Sequence, residues 1–449
     1  AAACLVAWSP DVQSQAGDPQ APQSVADPPA EIVDASSDDE EGIAYRMEIT
    51  GSAYGALRTL LEASSQLIAL ADRPPASLVG LERRAVGDVD RFRAALRSEG
   101  YYDAVVDYEI DTEARPVAVF LNVERGPPYQ LTALEVSYAG DPADKALPRN
   151  PEALGIELNR RARGPAIVGA ETTLVRLLSE RGYPYPQMLE RRVYIDRDAH
   201  TLAVTLHLNA GPKAVFGVLE VEGLRDVHEH YVRLVRPWIR GQLYDRRLLD
   251  RYRRDLVETN LFTSIAIEPS GPPNAAGSVP IRLSVTERDH RTFGGGLSWG
   301  TDEGFTVSAF WEHRNLFGAD ETFRFETEVG EIEQQVRGLF AKPRYLRNDQ
   351  TLLADVTWRR EDTDAFKEIS LSSAVGLERE FSDIWQGKLG VSAELSRITE
   401  NRDKRTLWLL GLPGSVIRDT RDDKFNAARG TRFEVGVTPY LTTGDDELL

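Results

Sequence analysis

Few residues in this 449-residue chain are spaced for chemistry. His228-Glu229-His230 sets two imidazoles two positions apart, a spacing that can hold a metal ion. The pair opens a helix-forming stretch beside Tyr231, where helix capping or solvent exposure is the simpler account. Arg418-Asp419-Thr420-Arg421-Asp422-Asp423 is a run of mixed charge that fits either a network in a barrel lumen or an ordered turn, and the turn is favoured. Gly294-Gly295-Gly296 could cradle a phosphate, but no Gly-Lys-Ser/Thr follows and no helix begins there. No serine, histidine and acid have the spacing of a nucleophilic triad. Cys4 is the single cysteine among the 449 residues, so an internal disulfide framework and a cysteine zinc cage are both excluded. The six histidines are scattered. The expectation is therefore no catalytic, cofactor-binding or metal residue, and no enzyme.

If the chain does no chemistry, its elements must carry the function. Lys and Arg number 53 against 71 Asp and Glu, a net charge of −18, which argues against nucleic acid, since phosphate binding wants a basic stripe. The length suggests several domains. No apolar run is long enough for a transmembrane helix. A transmembrane β-barrel remains open, because its short alternating strands give a weak hydropathy signal. Ala1–Trp8 is small and apolar, as the tail of a secretory signal would be; residues foreign to the natural chain are the alternative. Cys4 after three alanines is like a lipoprotein acylation site that lacks the upstream apolar run. Pro10–Ala44 is acidic and proline-containing, with no basic residue before Arg46. Such a segment has too little apolar surface to offset ordering entropy and is expected to be a disordered tether.

A repeat follows. Val123-Glu-Arg-Gly126-Pro127-Pro-Tyr129 and Leu208-Asn-Ala-Gly211-Pro212-Lys-Ala214 stand 85 residues apart. Each lies between two alternating strands. A second landmark recurs in step: Ser98-Glu-Gly100-Tyr101-Tyr102, then Glu180-Arg-Gly182-Tyr183, then more loosely Asn260-Leu261-Phe262. Each closes a helical stretch with Gly or Asn where a left-handed cap is wanted, and an aromatic starts the next strand. Each unit reads strand, helix, helix, strand, strand. The opening strand of the first is Tyr45–Thr50. Helices are expected near Tyr54–Leu70 and Val86–Ser98, near Pro151–Arg163 and Ile167–Arg181, and near His228–Arg240 and Leu243–Thr259. The expected organisation is a linker over 1–44, three small α+β modules over 45–125, 126–211 and 212–287, and a β-domain over 288–449.

After Glu287 period-two alternation replaces helical periodicity. Phe305, Val307, Ala309 and Trp311 share a face, as do Leu352, Ala354, Val356 and Trp358, and Leu389, Val391, Ala393 and Leu395. About nine strands of ~9–11 residues fit, the length that crosses a bilayer when tilted. Five of the seven tryptophans fall here, and Trp prefers membrane interfaces. The alternation by itself also suits a soluble sandwich.

Three modules with Gly-Tyr and Arg-Gly-Pro landmarks, then a barrel, resemble the POTRA-plus-barrel outer-membrane assembly superfamily, and within it the TamA group. Phe293-Gly-Gly-Gly-Leu-Ser-Trp-Gly300 looks like the family's first barrel strand. Trp311-Glu-His-Arg-Asn-Leu-Phe-Gly318 looks like its second strand and turn. Ile417-Arg-Asp-Thr-Arg-Asp422 with Ala428-Arg-Gly-Thr-Arg-Phe433 looks like its mid-barrel signature. The resemblance implies a sixteen-strand barrel, of which about nine strands would be present here. The Val-Arg-Gly-aromatic motif of the family's later loop has no match; Arg429-Gly430 is a different motif.

The resemblance further implies a factor that inserts or secretes outer-membrane proteins, autotransporters in particular, in an outer membrane with its modules in the periplasm. Implied partners are a TamB-like periplasmic or inner-membrane protein, unfolded outer-membrane clients and outer-membrane lipid, without nucleic acid or cofactor. Phe293, Gly294, Gly295, Gly296, Leu297 and Trp299 form a candidate lateral-gate strand, because glycine weakens a strand interior; a kink or close-packing site is the other reading. Gly100, Tyr101, Gly126, Pro127, Gly182, Tyr183, Gly211, Pro212 and Phe262 are the module landmarks. Rival expectations are another insertase or a two-partner secretion transporter of the superfamily, and a soluble periplasmic β-rich binding protein or hydrolase.

Overall fold

The structure, a computed structural model, describes residues 42–139, 147–301, 304–400 and 403–444. The expected tether and Cys4 lie outside the described residues, except for residues 42–44. By internal contacts the chain divides into two units: described residues up to Ala95 with Val105–Arg125, and Leu96–Ala104 with everything from Gly126 onward.

The first module runs β1 (Tyr45–Gly51), α1 (Ala56–Ser64), α2 (Gln66–Ala69), α3 (Leu78–Ser98), β2 (Val105–Asp111) and β3 (Val117–Glu124). β3 is central, parallel to β1 and antiparallel to β2. The single helix expected over Tyr54–Leu70 is broken at Ser65, whose backbone is extended. Its hydroxyl accepts from the Ile68 N–H and donates to the buried Asp88 at 2.5 Å. Asp88 also accepts from the N–H groups of Gln66 and Leu67, so a carboxylate on α3 caps α2. α3 starts eight residues before the expected Val86, and its buried Leu81, Ala85, Val89 and Phe92 keep a three-to-four spacing.

The second module comprises β4 (Gln130–Tyr138), a 3-10 turn (Pro151–Leu154), β5 (Arg160–Arg161), α4 (Gly164–Ser179), β6 (Gln187–Asp196) and β7 (Thr201–Asn209), in sheet order β5-β4-β7-β6. The helix expected over Pro151–Arg163 does not form. Gly155 turns left-handed (φ 74°) after one 3-10 turn, and Arg160–Arg161 instead pairs with β4. α4 matches the second expected helix and buries Ile167, Ala170, Leu174 and Leu178.

The third module comprises β8 (Val215–Glu222), α5 (Glu229–Val235), α6 (Arg246–Glu258), β9 (Phe262–Pro269) and β10 (Ser278–Glu287), in order β8-β10-β9. α5 is shorter than the expected His228–Arg240. Arg236 precedes Pro237 and is forced out of the helical region (ψ 123°). Asp245 caps α6 by accepting from the Arg247 N–H, and Leu249, Tyr252 and Leu256 face the core. There Phe216 stacks on Trp238 at 4.7 Å, and Trp238 meets Tyr252 edge-on at 5.2 Å. Each such pair adds about 1 kcal/mol beyond burial.

From Arg291 the chain is one antiparallel meander: β11 (Arg291–Gly300), β12 (Gly304–Arg314), β13 (Thr322–Gly330), β14 (Glu333–Lys342), β15 (Gln350–Asp362), β16 (Lys367–Ser382), β17 (Trp385–Glu400), β18 (Asp403–Gly411), β19 (Gly414–Asp419), β20 (Arg432–Val437) and β21 (Tyr440–Gly444). These eleven segments exceed the nine or so expected. The excess comes from two interruptions. β18 and β19 pair end to end along β17, parted by Leu412-Pro413. β20 and β21 pair with β19 and β18, parted by Thr438-Pro439. Proline has no N–H for the ladder, so each strand breaks there.

Candidate functional site

Register sorts the sheet into two chemically distinct faces. On one, Phe293 opposes Trp311 and Trp311 opposes Phe325, while Leu297 opposes Val307 and Val307 opposes Val329. The same face carries Val356, Trp358, Leu371, Val375, Leu389, Val391, Trp408, Val416 and Val435. All of these apolar residues are exposed. The opposite face is polar: Glu312 meets Arg324 at 3.2 Å, Lys388 meets Glu378 at 3.0 Å, and Ser396 donates to Glu368 at 2.6 Å. A soluble sandwich would bury the apolar face and wet the polar one. Here a continuous apolar band faces outward and the charges face inward, the pattern of a membrane barrel wall.

β11 opens the sheet; among the described residues it pairs with β12 alone. Phe293, Leu297 and Trp299 point to the apolar side and are exposed. Gly294 and Gly296 face the other side. A Cβ on Gly294 would lie 2.5 Å from the Phe310 ring, so this glycine admits a close-packed aromatic. On Gly295 it would approach the Ser308 carbonyl to 3.1 Å, and on Gly296 the Ser308 hydroxyl to 3.0 Å.

The first residues of β11 and the last of β12 meet the third module in a polar clasp. Glu287, the last residue of β10, accepts from the N–H groups of Arg225, Asp226 and Val227, the shortest at 2.7 Å. Burial pushes the Glu287 carboxyl up, but these donors and His290 outweigh it and hold it below the ordinary carboxylate range. The turn between β12 and β13 supplies the other half. Asn315 donates to the Asp226 carbonyl, and the His228 N–H donates to the Gly318 carbonyl at 2.8 Å. Tyr231 on α5 donates to Asp320, and Arg344, in the turn before β15, donates to the Tyr231 hydroxyl. Burial raises the Asp320 carboxyl to about 6, against the lowering pull of Tyr231 and Arg344. Glu321 accepts from the Ala319 N–H and pairs with Lys342 at 3.1 Å.

Ligand atoms of Asp226, Glu287 and His290 lie within 4.8 Å of one another. Glu287 already spends its oxygens on backbone N–H groups and His290, so the trio is a clasp rather than a vacant metal centre. His228 takes the position before α5 and lies against Gly318, and His230 is exposed, the capping and solvent placements expected of the pair. The Arg418–Asp423 run is an ordered turn. Asp419 takes Arg421 bidentately, and Asp422 accepts from the Ala428 and Arg429 N–H groups. Of the landmarks, Gly100, Gly126, Gly182 and Gly211 all have positive φ, and Asn260 takes the same conformation at 56°. Tyr101 and Tyr183 are buried in the connections just before β2 and β6, Phe262 is buried as the first residue of β9, and Pro127 and Pro212 follow their glycines in the loops before β4 and β8. Sequence reasoning missed Glu287, Tyr231, Asp320 and Arg344, which no motif marks as partners.

Residues 315–449 match the Omp85 superfamily domain. The matched residues run from the β12–β13 turn to the end of the sheet. In structure the chain is similar to BamA from Haemophilus ducreyi lacking POTRA domains 1–3, with a TM-score of 0.62 at 13% identity, covering 70% of this chain and 64% of that one. The chain thus spans less than two thirds of that relative's length. It is also similar to POTRA3–5 of Haemophilus influenzae BamA (TM-score 0.36, 20% identity, 55% of this chain and 96% of that one). CdiB from Acinetobacter baumannii gives a TM-score of 0.35 at 12% identity, covering 72% of this chain and 65% of that one. The Omp85-type sheet and its clasp to the third module are the features a function must use.

Proposed function

We propose that this chain is a non-enzymatic outer-membrane assembly factor of the TamA type, which inserts or secretes outer-membrane proteins, autotransporters in particular. The observation that carries the reading is β11: the first strand of the sheet, with a glycine-rich centre, exposed apolar residues on one side and a fixed hold on the third module at its base. Glycines weaken a strand interior, so β11 is where the sheet's pairing would yield to a client strand adding by backbone hydrogen bonds. The clasp would keep the third module in place beside that strand. The modules, divided at 45–125, 126–211 and 212–287 and followed by the β-domain over 288–449, would pass clients by their own sheet edges and bind a TamB-like protein.

The test uses the native protein that contains this chain. Membranes are fractionated and the protein is run on SDS gels with and without boiling. A urea-resistant outer-membrane band that shifts on boiling is expected. Cysteine crosslinks from Leu297 to a stalled autotransporter strand should then appear, and deleting Tyr45–Arg125 should leave the barrel inserted while breaking TamB-like binding. A band without heat shift overturns the barrel; a heat-shifted barrel without crosslinks overturns the client role. The second reading, a two-partner secretion transporter, would show export of one dedicated partner and no TamB-like copurification.

A further inference from the structure

Beside the clasp lies a cavity of about 750 Å³, lined by Arg225, Asp226, His228, Arg288, Asp289, His290, Arg291, His313 and the 315–318 turn. Three arginines line it. Among the described residues Arg225, Arg288 and Arg291 make no ion pair, although most arginines nearby do. The two acidic side chains of the lining, Asp226 and Asp289, leave an excess of positive charge even with all three histidines neutral. His313 adds an orphan: its Nδ1 is buried and has no hydrogen-bond partner.

The register fixes where this cavity stands against the membrane. Arg291 opposes His313, and the next outward pair on the same face is Phe293 opposite Trp311. Gly295–Ala309, Leu297–Val307 and Trp299–Phe305 continue the column. Four apolar rungs therefore stand directly above one basic rung. Two residues along a strand span about 7 Å, so Arg291 lies about that far below Phe293, at the depth of headgroups. Phe293 is 84% exposed and Phe317, on the cavity wall, is 63% exposed. Guanidinium groups bind phosphate oxygens in a forked geometry that ammonium groups do not match.

We propose that this cavity binds the phosphodiester headgroup of an anionic phospholipid, with the acyl chains lying along the outer face of β11 over Phe293, Gly295 and Leu297. Free phosphate shares the headgroup's chemistry but would leave the apolar column unused. A bound lipid would cover the exposed side of β11 at its base and would have to shift before anything approached the strand from that side.

The test is native mass spectrometry of the full native protein in detergent, with three probes: dihexanoyl phosphatidylglycerol, dihexanoyl phosphatidylcholine and inorganic phosphate. At least a tenfold excess of phosphatidylglycerol over phosphatidylcholine adduct is expected. The combined Arg225→Ala, Arg288→Ala and Arg291→Ala variant should lose that adduct at least tenfold, and Arg251→Ala with Arg254→Ala should not. Equal retention of both lipids, or an unchanged adduct in the triple variant, overturns the proposal. Displacement of phosphatidylglycerol by equimolar inorganic phosphate makes the site one for a free anion and overturns the lipid assignment. Should the triple variant lose its heat shift, a photoactivatable phosphatidylglycerol on the unaltered protein decides: labelling of the 315–321 peptide supports the site, and labelling spread evenly over the apolar band refutes it. None of these readouts depends on client assembly.

Discussion

The hydroxyl of Tyr231 donates to Asp320 at 2.7 Å, joining the short helix α5 of the third module to the first periplasmic turn of the sheet. Both residues are buried, and Arg344 donates to the same hydroxyl from the next periplasmic turn. One phenol thus ties a module to two turns of the wall.

Tyr231→Phe should loosen that tie. Removing the hydroxyl leaves a buried carboxylate short of a donor, at a cost of about 1–3 kcal/mol. Limited proteolysis should cut the 288–290 connection faster in the variant while the heat shift of the sheet persists. Unchanged cleavage would show that the clasp holds without it.

Asp320 gives the same contact a pH dependence. Its folded value near 6 lies above that of a free aspartate. Its stabilising contribution is therefore fully present below about pH 4 and is lost as pH rises through about 6. Glu287 acts in the opposite sense, since its carboxyl is held low: its contribution is present above the ordinary glutamate range and is lost as acid protonates it. Asp320→Asn should flatten the change in junction proteolysis between pH 4 and 6. A variant with an unaltered profile would exclude Asp320 as its source.

Gly294→Ala should destabilise the start of the sheet, because the new methyl meets the Phe310 ring at 2.5 Å. About 1–3 kcal/mol is the usual cost of such overpacking. The temperature at which the compact band is lost should fall, and Phe310→Leu should restore it. No rescue would place the strain in the backbone rather than against the ring.

Proline at Ser298, in the outer half of β11, should lower client assembly more than it lowers the amount of folded protein. The strand keeps its place beside β12 but presents a poorer edge. Immunoblots of client and barrel in one membrane fraction decide it; equal losses mean simple misfolding.

Much of the layout was legible because it is periodic. Leu297, Val307 and Val329 fall on one face by strict alternation, and the Gly-Tyr landmarks fell at helix ends because only a left-handed residue fits there. The misses have local causes. Ser65 ends a helix through a carboxylate 23 residues away, Pro237 stops α5 early, and Gly155 halts a helix after one turn. The clasp was not legible, since Tyr231 and Asp320 are 89 residues apart and Glu287 looks like any strand-end acid. Tertiary contact alone makes them partners.

The paired breaks at Pro413 and Pro439 lie side by side on neighbouring strands; the Leu412 N–H reaches the Pro439 carbonyl across them at 3.1 Å. The same rung of the ladder is thinned twice at one height. A wall that lacks two ladder N–H groups at one height resists bending least along that line, as a sheet of card does along a scored fold.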